Sequence, residues 1–339
     1  MKKLFAASAL FVTLLVATSA CRRSNEWRIS EGAIWRTTYR IVYSSPVALD
    51  DSVTEILTRV EQSLSPFSPT SLISRINRNE TDSTDTLIRM VFDISHHVNA
   101  ESHGRFDPTV SPLVNLWGFG TDKAARLRAE SDSINFTISP ALIDSALQIT
   151  GIAECSISDN RITKKHPATS FNFSAVTKGF ACDLLAEMFR RNDVNDFMIE
   201  IGGEVSTGGH NPENSPWRIQ IDAPDATVPD AHASLKVINV TDKGIATSGN
   251  YRNYHDSRHY GRFGHTIDPV SGYPVKNDIL SATVTAPTAG EADAWATACM
   301  ASGADSAISM IRRQPGVECL LVVPQGDSTV TVVTPGFPE

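Results

Sequence analysis

Strand and helix patterns mix along this chain without a regular strand–helix–strand rhythm, which predicts an α+β fold. Three observations carry that reading. Residues 281–303 read as a strand running straight into a capped helix. Trp217–Asp222 and Ser234–Val240 read as half-buried strands of a meander. Amphipathic helices with apolar residues at helical spacing precede them. At 339 residues, 41% hydrophobic and 20% charged, the composition suits a globular protein of one large or two small domains.

The N-terminus stands apart. Lys2 and Lys3 precede the apolar run Leu4–Val16, followed by Thr18, Ser19, Ala20 and Cys21. The run is too short to span a bilayer and has the layout of a secretory signal. A Cys directly after small residues resembles a bacterial lipobox, in which that Cys becomes the lipidated first residue; Thr18 stands where the pattern usually has Leu. Ordinary cleavage would instead leave a secreted free thiol, which is unusual. Residues 1–20 are therefore read as a lipoprotein signal peptide, 21–31 as the lipidated Cys21 and a polar tether, and 32–339 as one domain. The expected place is the bacterial cell envelope, held to a membrane by the lipid and facing the periplasm. With Lys2 and Lys3 removed from the 30 basic residues, 28 remain against 38 acidic ones, a net of −10. That excess argues against nucleic acid and against a polybasic membrane surface as partners. Cys155, Cys182, Cys299 and Cys319 form no CxxC spacing, so no zinc site is expected. Cys182 and Cys299 fall at small, buried-looking helix positions and read as core thiols.

Along the domain, Trp35–Tyr43 reads as a strand. Leu49, Val53, Ile56, Leu57 and Val60 give an amphipathic helix ending near Ser63, and a Pro/Ser-rich turn then displays Phe67. Leu87 to Val98 forms a second helix, stopped by Gly104. Residues 104–120, GRFDPTVSPLVNLWGFG, are apolar yet broken by Pro and Gly, and read as a buried loop or a pocket wall. Trp117, Gly118, Phe119 and Gly120 could lie along a flat aromatic ligand. Ser139 and Pro140 open a helix, and strand patterns follow around Ser156–Thr163 and Ser170–Phe173. The chain then turns at SAVTKG into a helix, Phe180–Arg190, which would leave backbone N–H groups and Lys178 near an anion. Lys178 taken alone also fits a solvated surface lysine. Phe197–Ile201 reads as a buried strand, followed at once by Gly202, Gly203 and Glu204. The stretch from Gly244 to Gly272 is dense in hydrogen-bonding side chains, including His255, His259 and His265, although a lone loop His is usually just exposed. Asp305–Arg313 reads as a short helix, and Val317–Val323 and Ser328–Thr334 as closing strands.

The stretch at 281–303 carries the most chemistry. SATVTA alternates β-branched residues, Pro287 ends the strand, and Thr288 with Glu291 makes a capping box. The helix should run to Gly303. Asp293 and Thr297 are four apart on one face of a helix otherwise small and apolar. They could hold a hard cation such as Mg²⁺, or be a cap-adjacent Asp and a Thr bonded back to the helix.

Nine stretches taken in order resemble the ApbE family of FAD:protein FMN transferases: TTYRI, LSPFSPTSLISRIN, GRFDPTVSPLVNLWGFG, FNFSAVTKGFACD, IEIGGEVSTGG, WRIQI, IATSGNYRNY, HTIDPVSGYPV and SATVTAPTAGEADAWATA. The resemblance covers about Gly32 to Val333 and implies a bilobed single domain with mixed sheets and packed helices. It implies a magnesium site at the Ala175 carbonyl, Asp293 and Thr297, with Ala296 where some members add a second Asp. It implies flavin contacts at Trp35, Phe67, Trp117, Gly118, Phe119, Asn172, Lys178 and Thr266. Trp35 replaces a Met, Phe67 a Tyr, and Asn172 the Asp that opens the usual motif.

The same resemblance implies that FAD is the substrate, its pyrophosphate on Mg²⁺ and its isoalloxazine against the aromatic loop. A Thr or Ser hydroxyl of an acceptor flavoprotein would attack the FMN-side phosphorus and AMP would leave. Family acceptors are flavoprotein subunits of extracytoplasmic or membrane redox complexes. His265 is the candidate for handling the acceptor's proton. Two rival readings are an FAD pyrophosphatase with water as acceptor, and a flavin-binding lipoprotein without chemistry.

Overall fold

The computed structural model describes residues 26–120, 122–131, 135–224, 233–250, 254–276, 279–326 and 328–339. The expected signal peptide and Cys21 lie outside the described residues. An eight-stranded sheet is the frame. Its strands, in spatial order, are β1 (Glu26–Ile34), β2 (Thr37–Ser45), β5 (Phe197–Ile201), β6 (Glu204–Gly208), β9 (Gly244–Gly249), β12 (Ser281–Ala286), β13 (Glu318–Gln325) and β14 (Ser328–Val333). The α+β class holds, but every pairing in this sheet is antiparallel where mixed sheets were expected. Tight turns such as Gly202–Gly203 between β5 and β6 can join only antiparallel neighbours.

Alternation along the strands sorts side chains to two faces. Ile41 and Tyr43 of β2, Ile199 and Ile201 of β5, Val284 of β12 and Leu321 of β13 point to the helices. Those helices are α1 (Asp50–Leu64), α3 (Thr86–Glu101), α7 (Ser174–Arg191), α8 (Ala289–Ser302) and α9 (Ala304–Ile311). Val205, Ile245, Leu320 and Val322 face the other way, onto the hairpin of β7 (Trp217–Asp222) and β8 (Ser234–Val240). A smaller core of Leu113, Trp117, Ile143, Phe263 and Ile267 joins α4 (Ser111–Leu116), α6 (Pro140–Gln148) and the hairpin of β10 (Tyr254–Ser257) and β11 (Gly261–Gly264). This is the second lobe of the expected pair.

Several expectations change. Residues 26–31, read as tether, already belong to β1, and the strand read from Trp35 is a hairpin whose turn holds Trp35 and Arg36. Residues 104–120 contain α4, which starts with Pro112 in its first turn, where a missing N–H costs nothing. Ser170–Phe173 is no strand. Asn77, in α2 (Leu72–Asn77), takes the Phe171 N–H at 2.8 Å and donates to the Phe171 carbonyl at 2.8 Å, supplying both bonds a neighbouring strand would give. SAVTKG is no turn either: α7 begins at Ser174, because the Asn172 side chain takes the Ser174 N–H at 3.0 Å. Gly244–Gly249, not read as a strand, lies between β6 and β12 in the sheet.

The junction of α7 with the start of α8 positions everything that follows. The Thr288 side chain accepts from the Glu291 N–H at 3.3 Å, as the capping box requires. Asp183 of α7 takes the Ala289 and Gly290 N–H groups at 2.8 Å each, satisfying two donors that a helix start leaves open. The two helices approach so closely that a Cβ at Gly179 would overlap the Ala289 carbonyl, and β9 comes as close, since a Cβ at Gly244 would overlap the Ala289 backbone. Burial pushes the Asp183 carboxyl up to about 7, against the two amide bonds that lower it. Between the unfolded value of about 3.9 and about 7, the folded state keeps a proton that the unfolded state has released. Stability therefore falls as pH rises through that window. The Asp183→Asn variant should lose this slope, which amounts to at most about 4 kcal/mol. Urea midpoints measured from pH 4 to 8 test this, and an equal slope in parent and variant would contradict it.

Candidate active site

Two buried carboxylates and a half-buried lysine meet where α7 and α8 converge. Lys178 of α7 forms an ion pair with Glu204 of β6, whose side chain is only 4% exposed. Asp293 of α8 is also buried and accepts from the Gly179 N–H at 3.3 Å. Burial opposes the Lys178 charge, but Glu204 and Asp293 together outweigh it and hold its proton more firmly than usual. Burial likewise pushes both carboxyls up, with Lys178 pulling each of them down. One long amide contact leaves Asp293 with acceptor capacity that a buried carboxylate normally fills.

The oxygens around it are of one kind. Gly179 donates to Asp293, and in a regular helix the same amide points at the Ala175 carbonyl. Thr297 lies one turn along α8 from Asp293, its hydroxyl 3.3 Å from that of Ser248 on β9. Carboxylate, carbonyl and hydroxyl make an oxygen set suited to a hard divalent cation. Ala296 is fully buried in the apolar core, which leaves this helix one carboxylate at the site. Among the described residues no group of three His, Cys, Asp or Glu comes together as a metal site.

Lys178 also lines a cleft of about 450 Å³ with Trp35, Arg36, Phe67, Ser174 and Thr177. Trp35 and Arg36 form the β1–β2 turn with φ of 51° and 66°, the left-handed region that such turns usually fill with Asn or Gly. The Trp35 indole N–H is buried without a hydrogen-bond partner among the described residues. Phe67 is 68% exposed at the rim. An aromatic wall, an exposed ring and an unmet donor beside an ammonium suit a flat, anionic ligand.

The remaining expected residues sit in the second lobe. Trp117 does not face open space: it is fully buried, donates to the Gly272 carbonyl at 2.9 Å and packs on Tyr260 and Phe263. It is a core residue that fixes the loop, rather than a ring available to stack on a ligand. Gly118 turns the chain at φ 83°, and the partly exposed Phe119 stacks on His255, centroids 4.5 Å apart. Burial lowers the His255 pKa. The His265 ring meets Phe119 edge-on at 6.3 Å. Thr266 donates to the Asn250 side chain at 2.6 Å, just beyond the end of β9 that carries Ser248. This ties the second lobe to the Thr297 side of α8. The lobe is also tied to residues 104–120 by the Arg105–Asp268 ion pair at 2.6 Å. A second cleft of about 520 Å³ opens there, lined by Tyr260, Tyr273, Lys276 and, one turn past Thr297, Ala301.

A model of the ApbE family matches residues 35–321. The chain belongs to the ApbE family. It is 31% identical over 314 residues to the FAD:protein FMN transferase of Escherichia coli (strain K12), a match spanning 90% of this chain and 86% of that protein. It is 30% identical to that of Vibrio cholerae, over 92% of each. Among solved structures, the flavin transferase ApbE from Vibrio cholerae superposes with a TM-score of 0.79 at 28% identity, covering 92% of this chain and 98% of that one. The apo flavinyl transferase ApbE of Pseudomonas stutzeri gives 0.77 at 28% identity, covering 93% and 96%.

The ApbE frame makes two local features readable. Asn172, one residue before the N-cap Phe173, accepts from the first amide of α7 with its side-chain oxygen, an acceptor that an Asp at this position would also supply. Glu204 and Ser248 escaped the sequence reading as site residues, since a Glu after two glycines and a strand Ser carry no spacing signal of their own. Asn172→Ala should cost about 1 kcal/mol of stability, and Asn172→Asp should cost none, because a carboxylate also suits a helix N-terminus. Chemical denaturation of the two variants measures this; equal losses would show that the cap contributes nothing.

Proposed function

We propose that this chain transfers the FMN part of FAD to a Thr or Ser hydroxyl of an acceptor flavoprotein and releases AMP. The observation that carries it is Lys178, half-buried against the buried carboxylates Glu204 and Asp293 beside an aromatic cleft, in a chain of this family. Trp35 and Phe67 supply apolar faces for one ring system of FAD, and the second cleft leaves room for the other. Lys178 places positive charge at the diphosphate. Asp293, Thr297 and the Ala175 carbonyl would hold Mg²⁺, which when bound offsets negative charge on the diphosphate. The acceptor oxygen bonds to the FMN-side phosphorus as that phosphorus loses its bond to the bridging oxygen, which departs with AMP. His265 takes the hydroxyl proton. Little covalent work falls to the protein beyond holding these groups in line.

The test mixes the protein, FAD, Mg²⁺ and a flavoprotein acceptor. The acceptor mass should rise by FMN less water, with one AMP per acceptor modified. Asp293→Ala should lower the rate by about a hundredfold or more, with Thr297→Ala losing less, because the carboxylate carries the charge. AMP formed equally fast without acceptor would replace the transferase by a pyrophosphatase, and FAD bound without AMP would leave a carrier.

The acceptor would be a subunit of an extracytoplasmic or membrane redox complex. Cys21 and the apolar run before it support a lipid anchor facing the periplasm, and no described helix is long and apolar enough to cross a membrane. Cys21→Ala should move the protein from the membrane fraction to the soluble one or block its maturation, since stable attachment needs several acyl chains on one residue. Fractionation in which the variant pellets like the parent would rule the anchor out.

A further inference from the structure

We propose that Glu204 is a positioning residue whose role is to hold the Lys178 ammonium away from Asp293, so that the Asp293 carboxylate stays available to a divalent cation. The inference rests on the cation reading of Asp293 and Thr297 given above.

The geometry sets up a competition. Lys178 is followed directly by Gly179, whose amide already touches Asp293 at 3.3 Å. A lysine has a four-carbon stem with free rotors and seeks whichever counter-charge is in reach. Two buried carboxylates flank it: Glu204, which it pairs with, and Asp293, which already meets the amide of the next residue. Both raise the Lys178 affinity for its proton, so both feel its charge. The lysine pairs with Glu204. An ammonium on Asp293 would cancel the charge a cation needs and take up its lone pairs. Glu204 resolves this by offering the better-placed partner.

The fold fixes Glu204 for the purpose. It is the first residue of β6, pointing to the α7 side. Gly202 and Gly203 precede it with φ of 62° and 103°, a reversal that other residues rarely adopt. Its carboxylate is almost sealed from water, and its carbonyl accepts from the Cys182 thiol of α7 at 3.4 Å. Removal of Glu204 therefore leaves Lys178 with Asp293 as its remaining buried counter-charge in this group.

Mn²⁺ serves as the probe, its binding to the full-length protein read by the loss of the free-ion electron spin resonance signal. Glu204→Gln should weaken Mn²⁺ binding by about tenfold or more when Lys178 is present. In the Lys178→Met background, where no ammonium competes, the same substitution should weaken it by about threefold or less. That difference separates diversion of the lysine from the plain loss of one negative charge. Equal losses in the two backgrounds, or Glu204→Gln binding within twofold of the parent, would overturn the proposal. A parent that binds no Mn²⁺ would overturn the cation reading as well. Melting temperatures of all four proteins check that each is folded. Should Glu204→Gln fail to fold, Glu204→Asp replaces it. The shorter side chain keeps the charge and draws back from the lysine, so it should weaken binding in the Lys178 background alone.

Discussion

The close approach of α7 and α8 is the constraint on which the rest of the molecule depends. A side chain at Gly179 or Gly244 would overlap the backbone around Ala289, so α7 and β9 both meet the start of α8 only because these positions carry no Cβ. Asp183 secures the meeting by capping α8 from α7. The consequence is chemical. Lys178 and Ala175 of one helix come beside Asp293 and Thr297 of the other, in a place the sheet seals from behind with β6 and β9. The junction thus brings carboxylate, carbonyl and hydroxyl oxygens and an ammonium to one place, which is what the proposed handling of a diphosphate asks for.

The second lobe is held in shape, and tied to the end of β9, by a few directional contacts. Arg105 pairs with Asp268, Trp117 donates to Gly272, and Thr266 donates to Asn250. The first two join stretches distant in sequence, so the loop that carries Phe119 is held by the segment that carries His265. Aromatic packing around Trp117 stiffens the arrangement. A reaction that asks for alignment more than for covalent help is served by this rigidity.

Much of this was legible in the sequence where local chemistry decides structure. The Thr288–Glu291 capping box, the stop at Gly303 and the pairing of Asp293 with Thr297 on one face followed from residue types and helical period alone, and α8 carries them all. What stayed hidden depends on distant partners. Phe171 reads as a strand residue until Asn77, far away in the chain, supplies its backbone bonds. SAVTKG reads as a small-residue turn, and only the Ala289 backbone explains why Gly179 stands inside a helix. Trp117 reads as a ligand platform because its burial comes from the β10–β11 hairpin. Trp35 and Arg36 carry no turn signature, since the hairpin there is imposed by pairing along β1 and β2. Glu204 gave no signal at all until its ion pair was seen.

The central claim is that the oxygens of Asp293 and Thr297 bring a divalent cation to the diphosphate of FAD. Phosphorus resonances of FAD bound to the protein, recorded as Mn²⁺ is added in trace amounts, test it most directly. The account predicts that both diphosphate resonances broaden strongly in the parent and remain sharp in Asp293→Ala at the same occupancy of FAD. Resonances that stay sharp in the parent, or broaden equally in both proteins, would contradict it.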